Sequence, residues 1–174
     1  NCSLEIFSLL PLSKKEIGAS ISCSGTCLTL ESYNKKISKF FISKETIRRT
    51  IFKNSKKGDI INLEKSLKYG DRVSGHFVQG HIDTTAKVKK INKVGKSIIL
   101  EIAIPNHFKK YIVYKGSITI NGISLTVSKI LKKSFQIAVV PHTLKFTNLF
   151  YLKKNSIVNI EFDILGKYIK NFFK

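Results

Sequence analysis

Residues 20–30 read Ser-Ile-Ser-Cys-Ser-Gly-Thr-Cys-Leu-Thr-Leu, and residues 117–127 read Ser-Ile-Thr-Ile-Asn-Gly-Ile-Ser-Leu-Thr-Val. The second stretch repeats the first at an offset of 97 residues, from position 20 to position 117. The same offset relates further pairs, which are Thr46 and Thr143, Thr50 and Thr147, Asn62 and Asn159, and Glu64 and Glu161. This period exceeds the roughly 20–50 residues of a solenoid repeat, so the chain is expected to hold two tandem copies of one small domain.

The duplication predicts two similar pockets, and two similar pockets suggest a protein that handles two similar ligands. The segment Gly75–Lys90, which precedes the well-matched part of the second copy, maps to positions before residue 1 at the same offset. The first copy is therefore expected to lack its opening strand, by about 22 residues. The sequence contains no Met, which agrees with an N-terminally truncated fragment.

The net charge of +20 belongs to the whole chain rather than to one segment. Arg occurs only at positions 48, 49 and 72, so Lys accounts for the other 28 of the 31 basic residues. Nucleic-acid recognition usually recruits Arg for its bidentate geometry and places aromatic side chains beside it. The scattered lysines instead indicate a solvated surface shaped by biased composition, and no nucleic-acid partner is predicted.

Hydrophobic residues make up 43% of the chain, which is enough for an ordinary globular core. No uninterrupted apolar run reaches the roughly 18 residues of a membrane span and no signal peptide is visible, so no membrane partner is predicted. The cysteines are Cys2, Cys23 and Cys27, an odd number that favours neither a disulfide framework nor a zinc site. Together these features predict a cytoplasmic location.

Short runs of β-forming residues dominate the sequence, and several alternate apolar and polar residues as half-buried antiparallel strands do. The predicted strands are Ile21–Leu30, Lys39–Ser43, Asp59–Leu63, Phe77–Ile82, Ile98–Ile104, Ser117–Ile130, Phe135–Val140 and Ser156–Phe162. Gly25 and Gly122 interrupt their strands at the same place in both copies, which indicates a bulge or a close backbone approach. Many short strands favour an all-β fold of small closed barrels.

Helical patterns are few. Glu45–Arg49 and His142–Phe146 are short and follow strands, while residues 162–173 carry apolar residues at spacings of three and four. A domain boundary is predicted near Thr84–Lys93, where Lys and small polar residues replace the apolar pattern.

His76 and His81 raise the question of a metal site. Their separation of five residues would place the two imidazoles on opposite faces of a regular strand, away from a shared ion. Asp83 could share a face with His81, but two ligands are too few. No metal site is therefore predicted.

Several motifs follow one another in a fixed order. They are Cys-Leu-Thr-Leu at 27–30, Lys-Glu-Thr-Ile-Arg-Arg-Thr at 44–50, Ile-Asn-Leu-Glu-Lys-Ser-Leu at 61–67, Gly-His-Phe-Val-Gln-Gly-His-Ile-Asp at 75–83, Lys-Gly-Ser-Ile-Thr-Ile-Asn-Gly-Ile-Ser-Leu-Thr-Val at 115–127, Val-Pro-His-Thr-Leu at 140–144 and Val-Asn-Ile-Glu-Phe-Asp at 158–163. Together with the duplication, they resemble the riboflavin synthase α-chain family, whose members are trimers built from two lumazine-binding repeats. The resemblance covers the chain except for its start.

This resemblance implies two tandem six-stranded antiparallel Greek-key barrels, the first without its opening strand, and a C-terminal helix. The implied divisions are a first lumazine-binding barrel at 1–75, a second at 76–161 and a trimerisation helix at 162–174. The implied activity converts two molecules of 6,7-dimethyl-8-ribityllumazine into riboflavin and 5-amino-6-ribitylamino-2,4-pyrimidinedione, without a metal or an organic cofactor. In the family, the first barrel of one subunit faces the second barrel of its neighbour, which makes a homotrimer the expected assembly.

The resemblance also implies substrate-binding positions in both repeats. In the first barrel they are Cys27, Leu28, Thr29, Phe41, Ile42, Ser43, Lys44, Glu45, Thr46, Gly80, His81 and Ile82. In the second they are Lys115, Ser124, Leu125, Thr126, Ala138, Val139, Val140, Pro141, His142 and Thr143. Backbone groups beside the bulges are expected to pair with the pyrimidinedione edge, and Thr, Ser and Glu side chains to hold the ribityl hydroxyls.

Four residues are candidates for the chemistry, namely Ser124, Asp163, His81 and Cys27. Cys27 and Ser124 are equivalent in the two copies but differ chemically, as expected when two identical substrates take donor and acceptor roles. The resemblance implies that Ser124 positions the water or hydroxide that adds at C7, with Asp163 near it and His81 acting as an acid or base. Simpler roles stay open: Asp163 as a helix cap, and His81 as a hydrogen-bonding residue of the barrel rim.

An alternative function is a lumazine- or flavin-binding carrier without turnover, because related proteins keep the fold as chromophore carriers. Such carriers tend to lose the second pocket. Here Ser-Leu-Thr at 124–126 and Pro-His-Thr at 141–143 are intact, which favours the enzyme.

Overall fold

The computed structural model describes residues 2–173, and β-strands dominate them. The strands of the described chain are β1 Cys2–Phe7, β2 Ser20–Cys23, β3 Thr26–Asn34, β4 Ile37–Ile42, β5 Leu63–Lys65, β6 Thr84–Val94, β7 Ser97–Ala103, β8 Ser117–Ile120, β9 Ile123–Ile130, β10 Ser134–Val139 and β11 Ile157–Phe162. The α-helices are α1 Lys44–Arg49, α2 Pro141–Phe146 and α3 Ile164–Phe172. The helices therefore lie where the sequence predicts them.

These strands form one open sheet and one closed barrel. Strands β1 to β5 make a five-stranded sheet in the order β1-β4-β3-β2-β5, and β6 to β11 close in the order β10-β7-β6-β11-β8-β9. Every strand pair in both is antiparallel among the described residues. The predicted all-β fold with a C-terminal helix is confirmed, with the first sheet one strand short of the six in the barrel.

The 97-residue offset relates the two sheets strand by strand. Strands β2, β3 and β4 and helix α1 begin 97 residues before β8, β9, β10 and α2, respectively. By the same offset β1 corresponds to β7, and β5 to the end of β11. Strand β6 has no counterpart among the described residues. In the barrel it lies between β7 and β11, so the matching edges of the first sheet, β1 and β5, are open.

The region around β6 differs from the prediction made from the sequence. No strand is present at Phe77–Ile82, and Thr84–Lys93, predicted to be a domain boundary, forms most of β6 instead. Ala86 and Val88 point inward and are buried, while Lys87 between them and Lys89 and Lys90 after them are exposed. Because most outward-facing residues of β6 are lysines, the sequence did not indicate the alternation of buried and exposed residues that is typical of a strand.

The strand predicted at Asp59–Leu63 is also displaced. Only Leu63 of that run belongs to β5, whereas the equivalent part of the second copy is paired from Ile157 onward. In the barrel this part of β11 is held by β6, with Ile157 opposite Lys87. Asp59–Asn62 has no such neighbour in the described chain, so the same sequence pattern gives no ladder there.

Each sheet encloses a hydrophobic core of its own. The buried core of the first sheet consists of Ile6, Leu12, Ile21, Cys23, Leu28, Leu30, Phe40, Ile42 and Phe52. The barrel is filled by Ala86, Val88, Leu100, Ile102, Ile104, Ile112, Ile118, Ile120, Val127, Phe135, Ile137, Val139, Leu149, Val158, Ile160 and Phe162. Burying each large apolar side chain contributes about 1.5–3 kcal/mol, so both cores stabilise their halves.

The two copies meet at Gly25 and Gly122, which lie in the two-residue turns between β2 and β3 and between β8 and β9 rather than in strand bulges. The stretches predicted as single strands, Ile21–Leu30 and Ser117–Ile130, are therefore each two strands joined by a turn. A Cβ on Gly25 would lie 2.7 Å from the Gly122 nitrogen, and one on Gly122 would lie 2.8 Å from the Gly25 nitrogen. Only glycine permits this approach, and the positive φ of both residues favours glycine as well. The side-chain oxygen of Asn159 accepts from the Ile51 N–H at 2.8 Å. In the equivalent bond, the side-chain oxygen of Asn62 accepts from the Asn148 N–H at 2.7 Å.

Helix α3 ends the described chain and begins at the N-cap Asp163, whose Oδ1 accepts from the Leu165 N–H at 3.0 Å. Lys167 of the helix forms an ion pair with Asp83 at 2.7 Å. The apolar residues Leu165, Ile169 and Phe172 remain exposed on the surface of the chain. Within residues 2–173, no helix is both long and apolar enough to span a bilayer.

Candidate active site

A cleft of about 660 Å³ lies between the first sheet and the barrel. The connecting segment, defined as residues 66–83, runs along it. Cys27 of the first copy and Ser124 of the second both line this cleft, and each is partly exposed. The repeat therefore brings its two equivalent, chemically different residues to a common space.

Two glycines of the connecting segment contact these residues. Gly80 lies against Cys27, whose N–H donates to the Gly80 carbonyl at 2.8 Å, and a Cβ on Gly80 would come within 2.8 Å of the Cys27 nitrogen. Gly75 lies against the Ser124 side chain so closely that a Cβ there would collide with it. Both glycines have positive φ, so backbone conformation and close contact together require glycine at these positions.

Ser124 is hydrogen-bonded to a histidine of the connecting segment. Its Oγ lies 2.7 Å from Nδ1 of His76, and Nε2 of the same ring lies 3.1 Å from Oγ1 of Thr119. Thr119 is fully buried and pairs with Ser124 across the β8–β9 ladder. A neutral imidazole has one donor and one acceptor, so one hydroxyl donates to the ring and the other accepts from it.

Burial favours this neutral form. Desolvation lowers the pKa of His76 below its ordinary value of 6.5, and the nearby charge of Asp163 opposes the shift with a smaller effect. The imidazole is consequently uncharged at neutral pH. An uncharged ring beside a hydroxyl can accept a proton from it, which gives His76 and Ser124 the arrangement of a base and the group that it orients.

Glu161 fixes the connecting segment to the barrel. The carboxylate is 2% exposed and accepts hydrogen bonds from the backbone N–H groups of Gln79 (2.8 Å) and Gly80 (3.0 Å). Desolvation raises the pKa of Glu161, while these hydrogen bonds act in the opposite direction. The contacts link Glu161 of one copy, through Gly80, to Cys27 of the other.

Comparison with known proteins decides the family. The family model described as "Lumazine binding domain" matches residues 4–66 and 79–163 of the chain. The riboflavin synthase of Buchnera aphidicola is 40% identical to the chain, over 94% of the chain and 79% of its own length. The riboflavin synthase of Escherichia coli K12 is also 40% identical, over 85% of the chain and 70% of its own length. The chain belongs to the riboflavin synthase family.

Solved structures with a similar fold include complexes of LumP with ligands. LumP complexed with riboflavin superposes with a TM-score of 0.81 at 25% identity, covering 92% of this chain and 87% of LumP. LumP complexed with 6,7-dimethyl-8-(1'-D-ribityl) lumazine gives a TM-score of 0.75, also at 25% identity, over 86% of this chain and 83% of LumP.

The positions expected to bind substrate in the riboflavin synthase family are distributed over several environments. Leu28, Ile42 and Val139 point into the cores, so only their backbone groups are available to a ligand. The exposed positions are Thr29, Phe41, Lys44, Glu45, His81, Lys115, Thr126, Ala138, Val140, Pro141 and His142. Those of intermediate exposure are Ser43, Thr46, Ile82, Leu125 and Thr143.

Two of these side chains form hydrogen bonds or ion pairs at helix α1, which follows β4. Ser43 caps α1 by accepting from the Thr46 N–H at 3.0 Å. Glu45, expected to hold ribityl hydroxyls, forms ion pairs with Arg48 and Arg49 on the exposed surface of α1. A ligand that uses the Glu45 carboxylate must therefore share it with two guanidinium groups.

Asp163 takes the simpler of its two expected positions, that of a helix cap. Asp163 caps α3, and its charge acts on His76 rather than forming a hydrogen bond to Ser124. His81 is exposed and does not line the cleft. The histidine that contacts Ser124 is His76, for which the sequence raises only the question of a metal site. The sequence signal for its position is the dipeptide Gly75-His76, which lies five residues before Gly80-His81.

Proposed function

We propose that this chain is a riboflavin synthase that dismutates two molecules of 6,7-dimethyl-8-ribityllumazine. One lumazine gives up a four-carbon unit to the other, so that riboflavin and 5-amino-6-ribitylamino-2,4-pyrimidinedione form and all atoms of the two substrates are accounted for. The observation that carries the proposal is the shared cleft between the copies, lined by the equivalent residues Cys27 and Ser124. Membership of the riboflavin synthase family supports the same substrate.

Such a reaction gains most from holding two identical ring systems against each other. Converting a bimolecular encounter into an intramolecular one can lower the barrier by roughly 7–11 kcal/mol. The duplicated fold supplies two related surfaces for this purpose. Their differences, Cys27 against Ser124 and Glu45 against His142, provide two environments for substrates with opposite roles.

Ser124 is proposed to act on the lumazine that is attacked at C7. Its hydroxyl donates to the neutral His76 ring, which leaves the Oγ lone pairs directed toward a water or hydroxide at that carbon. In return, Nε2–H of His76 donates to Thr119, a buried residue that holds the ring in place. Cys27 has the Gly80 carbonyl rather than an imidazole beside it, which fits a binding rather than a proton-transfer role.

A trimer is proposed as the working assembly. The exposed apolar residues Leu165, Ile169 and Phe172 of α3 support it, because they form one face of the helix and are uncovered on the single chain. Pairing of pockets from neighbouring subunits would then complete the site for two substrates.

The test is incubation of the protein with the purified lumazine while riboflavin absorbance is recorded. Riboflavin should form together with an equal amount of the pyrimidinedione, and Ser124→Ala should lower kcat by roughly 10²-fold or more, in the range of acid–base groups. A matched Ser128→Ala change, on the same strand outside the cleft, should leave the rate unchanged.

The likeness to LumP favours a carrier as the second candidate. A carrier would bind the lumazine and return it unchanged. Binding with no riboflavin after prolonged incubation would therefore reject the enzyme and leave the carrier.

A further inference from the structure

The connecting segment lies on a polar row, defined as Glu161, Thr119 and Ser124, that crosses the wall of the barrel. Glu161 of β11 is the register partner of Thr119 of β8, and Thr119 is the register partner of Ser124 of β9. Directly opposed residues place their side chains on the same face of a sheet. Ile160 and Phe162, on either side of Glu161, belong to the barrel core, so the polar row lies on the outer face of the barrel.

Two members of the polar row are buried although they face outward. Glu161 and Thr119 are both buried, and a carboxylate is rarely buried without partners. The partners come from the connecting segment, because Glu161 accepts from the backbone N–H groups of Gln79 and Gly80. Thr119 is hydrogen-bonded to His76 of the same segment. The connecting segment therefore covers the polar row and satisfies its hydrogen bonds.

Hydrogen bonds rather than apolar packing hold this part of the connecting segment. Phe77 and Val78 lie between the two sets of contacts, and both side chains are exposed. Gly80, by contrast, is buried. Because the apolar side chains before it are not packed, the position of Gly80 depends on its hydrogen bonds to Glu161 and Cys27.

Gly80 is the point at which the second copy contacts the Cys27 side of the cleft. Its N–H donates to Glu161 at 3.0 Å, and its carbonyl accepts from the Cys27 N–H at 2.8 Å. A Cβ on Gly80 would lie 2.7 Å from the Cys27 Cβ, so the Gly80 backbone covers one side of the cysteine. A shift of Gly80 would therefore change the space beside Cys27 in the cleft.

We propose that Glu161 is a positioning residue for the part of the cleft that contains Cys27. The carboxylate acts through Gly80 and does not itself line the cleft. His76 is anchored separately, on β8 and β9, so Glu161 is expected to affect substrate binding more than proton transfer. The effect on riboflavin formation rests on the proposed function, whereas the effect on the structure of the cleft does not.

The reactivity of the cysteines tests this inference without lumazine. Each thiol of the native full chain is alkylated with iodoacetamide, and its rate is followed by peptide mass spectrometry. Glu161→Gln keeps the size of the side chain but replaces one acceptor oxygen with an NH₂ group, which cannot accept a hydrogen bond. Cys27 should react roughly tenfold faster in this variant, because a hydrogen bond to a charged acceptor is lost and Gly80 is released.

The other two cysteines are internal controls. Cys2 is exposed, so its rate should be the same in every variant. Cys23 is buried, and burial raises the pKa of its thiol to about 12, so it should stay unlabelled while the chain is folded. The matched variant is Glu101→Gln on β7, where the glutamate is hydrogen-bonded to Ser134 of β10 and not to the connecting segment. It should leave the rate of Cys27 unchanged.

Gly80→Ala disturbs the same contact from the other side. The added Cβ would meet the Cys27 backbone while the carboxylate of Glu161 is unchanged, so this variant should also label faster at Cys27. It provides the test if Glu161→Gln does not fold. In assays with the lumazine, both variants should raise KM by roughly tenfold and lower kcat less than Ser124→Ala does.

Three results would overturn the inference. The first is an unchanged Cys27 rate in Glu161→Gln, or in Gly80→Ala if only that variant folds. The second is faster labelling of Cys27 and Cys23 together, since Glu161 would then serve only the stability of the fold. The third is a lowered kcat with an unchanged KM. If the unmodified protein forms no riboflavin, the proposed function fails, while the labelling rates still decide whether Glu161 positions Gly80 on Cys27.

Discussion

His76 is the single residue whose position most affects the proposed chemistry. Replacement by Asn removes the imidazole that lies 2.7 Å from Ser124 Oγ, and we expect kcat to fall by roughly 10²-fold with little change in KM. In the unmodified protein, activity should decrease as pH falls through the lowered pKa of His76, because a protonated ring cannot accept from Ser124. This acidic limb should be absent from the pH profile of His76→Asn. His107→Asn, at an exposed histidine, is the control and should retain both rate and profile.

The same residue links stability to pH, and the sign follows from the direction of its shift. The folded pKa lies below the unfolded value of 6.5, so on acidification the unfolded chain binds a proton before the folded chain does. This contribution to the free energy of unfolding is present above pH 6.5 and is lost as pH falls through the folded pKa of His76. In urea titrations between pH 7 and pH 5, His76→Asn should therefore lose less stability than the unmodified protein. An equal or greater loss would contradict the assignment.

At the scale of elements, the regions of β2 to β4 and of β7 to β11 and the short helices α1 and α2 could be predicted from the sequence, whereas β1 (Cys2–Phe7) was not predicted. Strand β6 was missed because its outer face is lysine, so the small buried residues Ala86 and Val88 gave no apolar signal. The segment from Phe77 to Ile82 was predicted to be a strand and is not one. Its apolar residues suggest a strand, yet its backbone N–H groups at Gln79 and Gly80 are bound by Glu161, a contact 81 or 82 positions away that no local pattern contains.

The junction between β11 and the first copy provides a test at the same scale. Asn159 is fully buried, accepts from the Ile51 N–H (2.8 Å) and donates to the Ser24 carbonyl (2.9 Å). Asn159→Ala leaves both groups buried without a partner, at about 1–3 kcal/mol each, so we expect a loss of roughly 3 kcal/mol in the urea-derived free energy of unfolding. Asn62→Ala, at the equivalent but partly exposed position, should cost less because water can replace the amide. A larger loss for Asn62→Ala than for Asn159→Ala would contradict this account.

For the whole molecule, the repeat explains a shared cleft but leaves one apolar surface of the chain without cover. Helix α3 exposes Leu165, Ile169 and Phe172, although Asp83 and Lys167 fix the helix itself against the barrel. A helix held in place by an ion pair on one side and apolar on its free side is suited to packing against another copy. The family resemblance predicts a trimer, and the α3 face is where the sequence and the structure together would place its contacts.

The trimer can be tested with two neighbouring substitutions that introduce the same charge. Ile169→Asp places a carboxylate on the apolar face of α3, whereas Lys170→Asp places it one residue away, off that face. Sedimentation should show a trimer of the 19.7 kDa chain for the unmodified protein and for Lys170→Asp, and a monomer for Ile169→Asp. If the reacting pair of lumazines spans two subunits, riboflavin formation by Ile169→Asp should also fall and should recover as protein concentration rises, because assembly is then driven by mass action. Full activity of a monomeric Ile169→Asp would instead show that the cleft holding Cys27 and Ser124 within one chain is sufficient for the reaction.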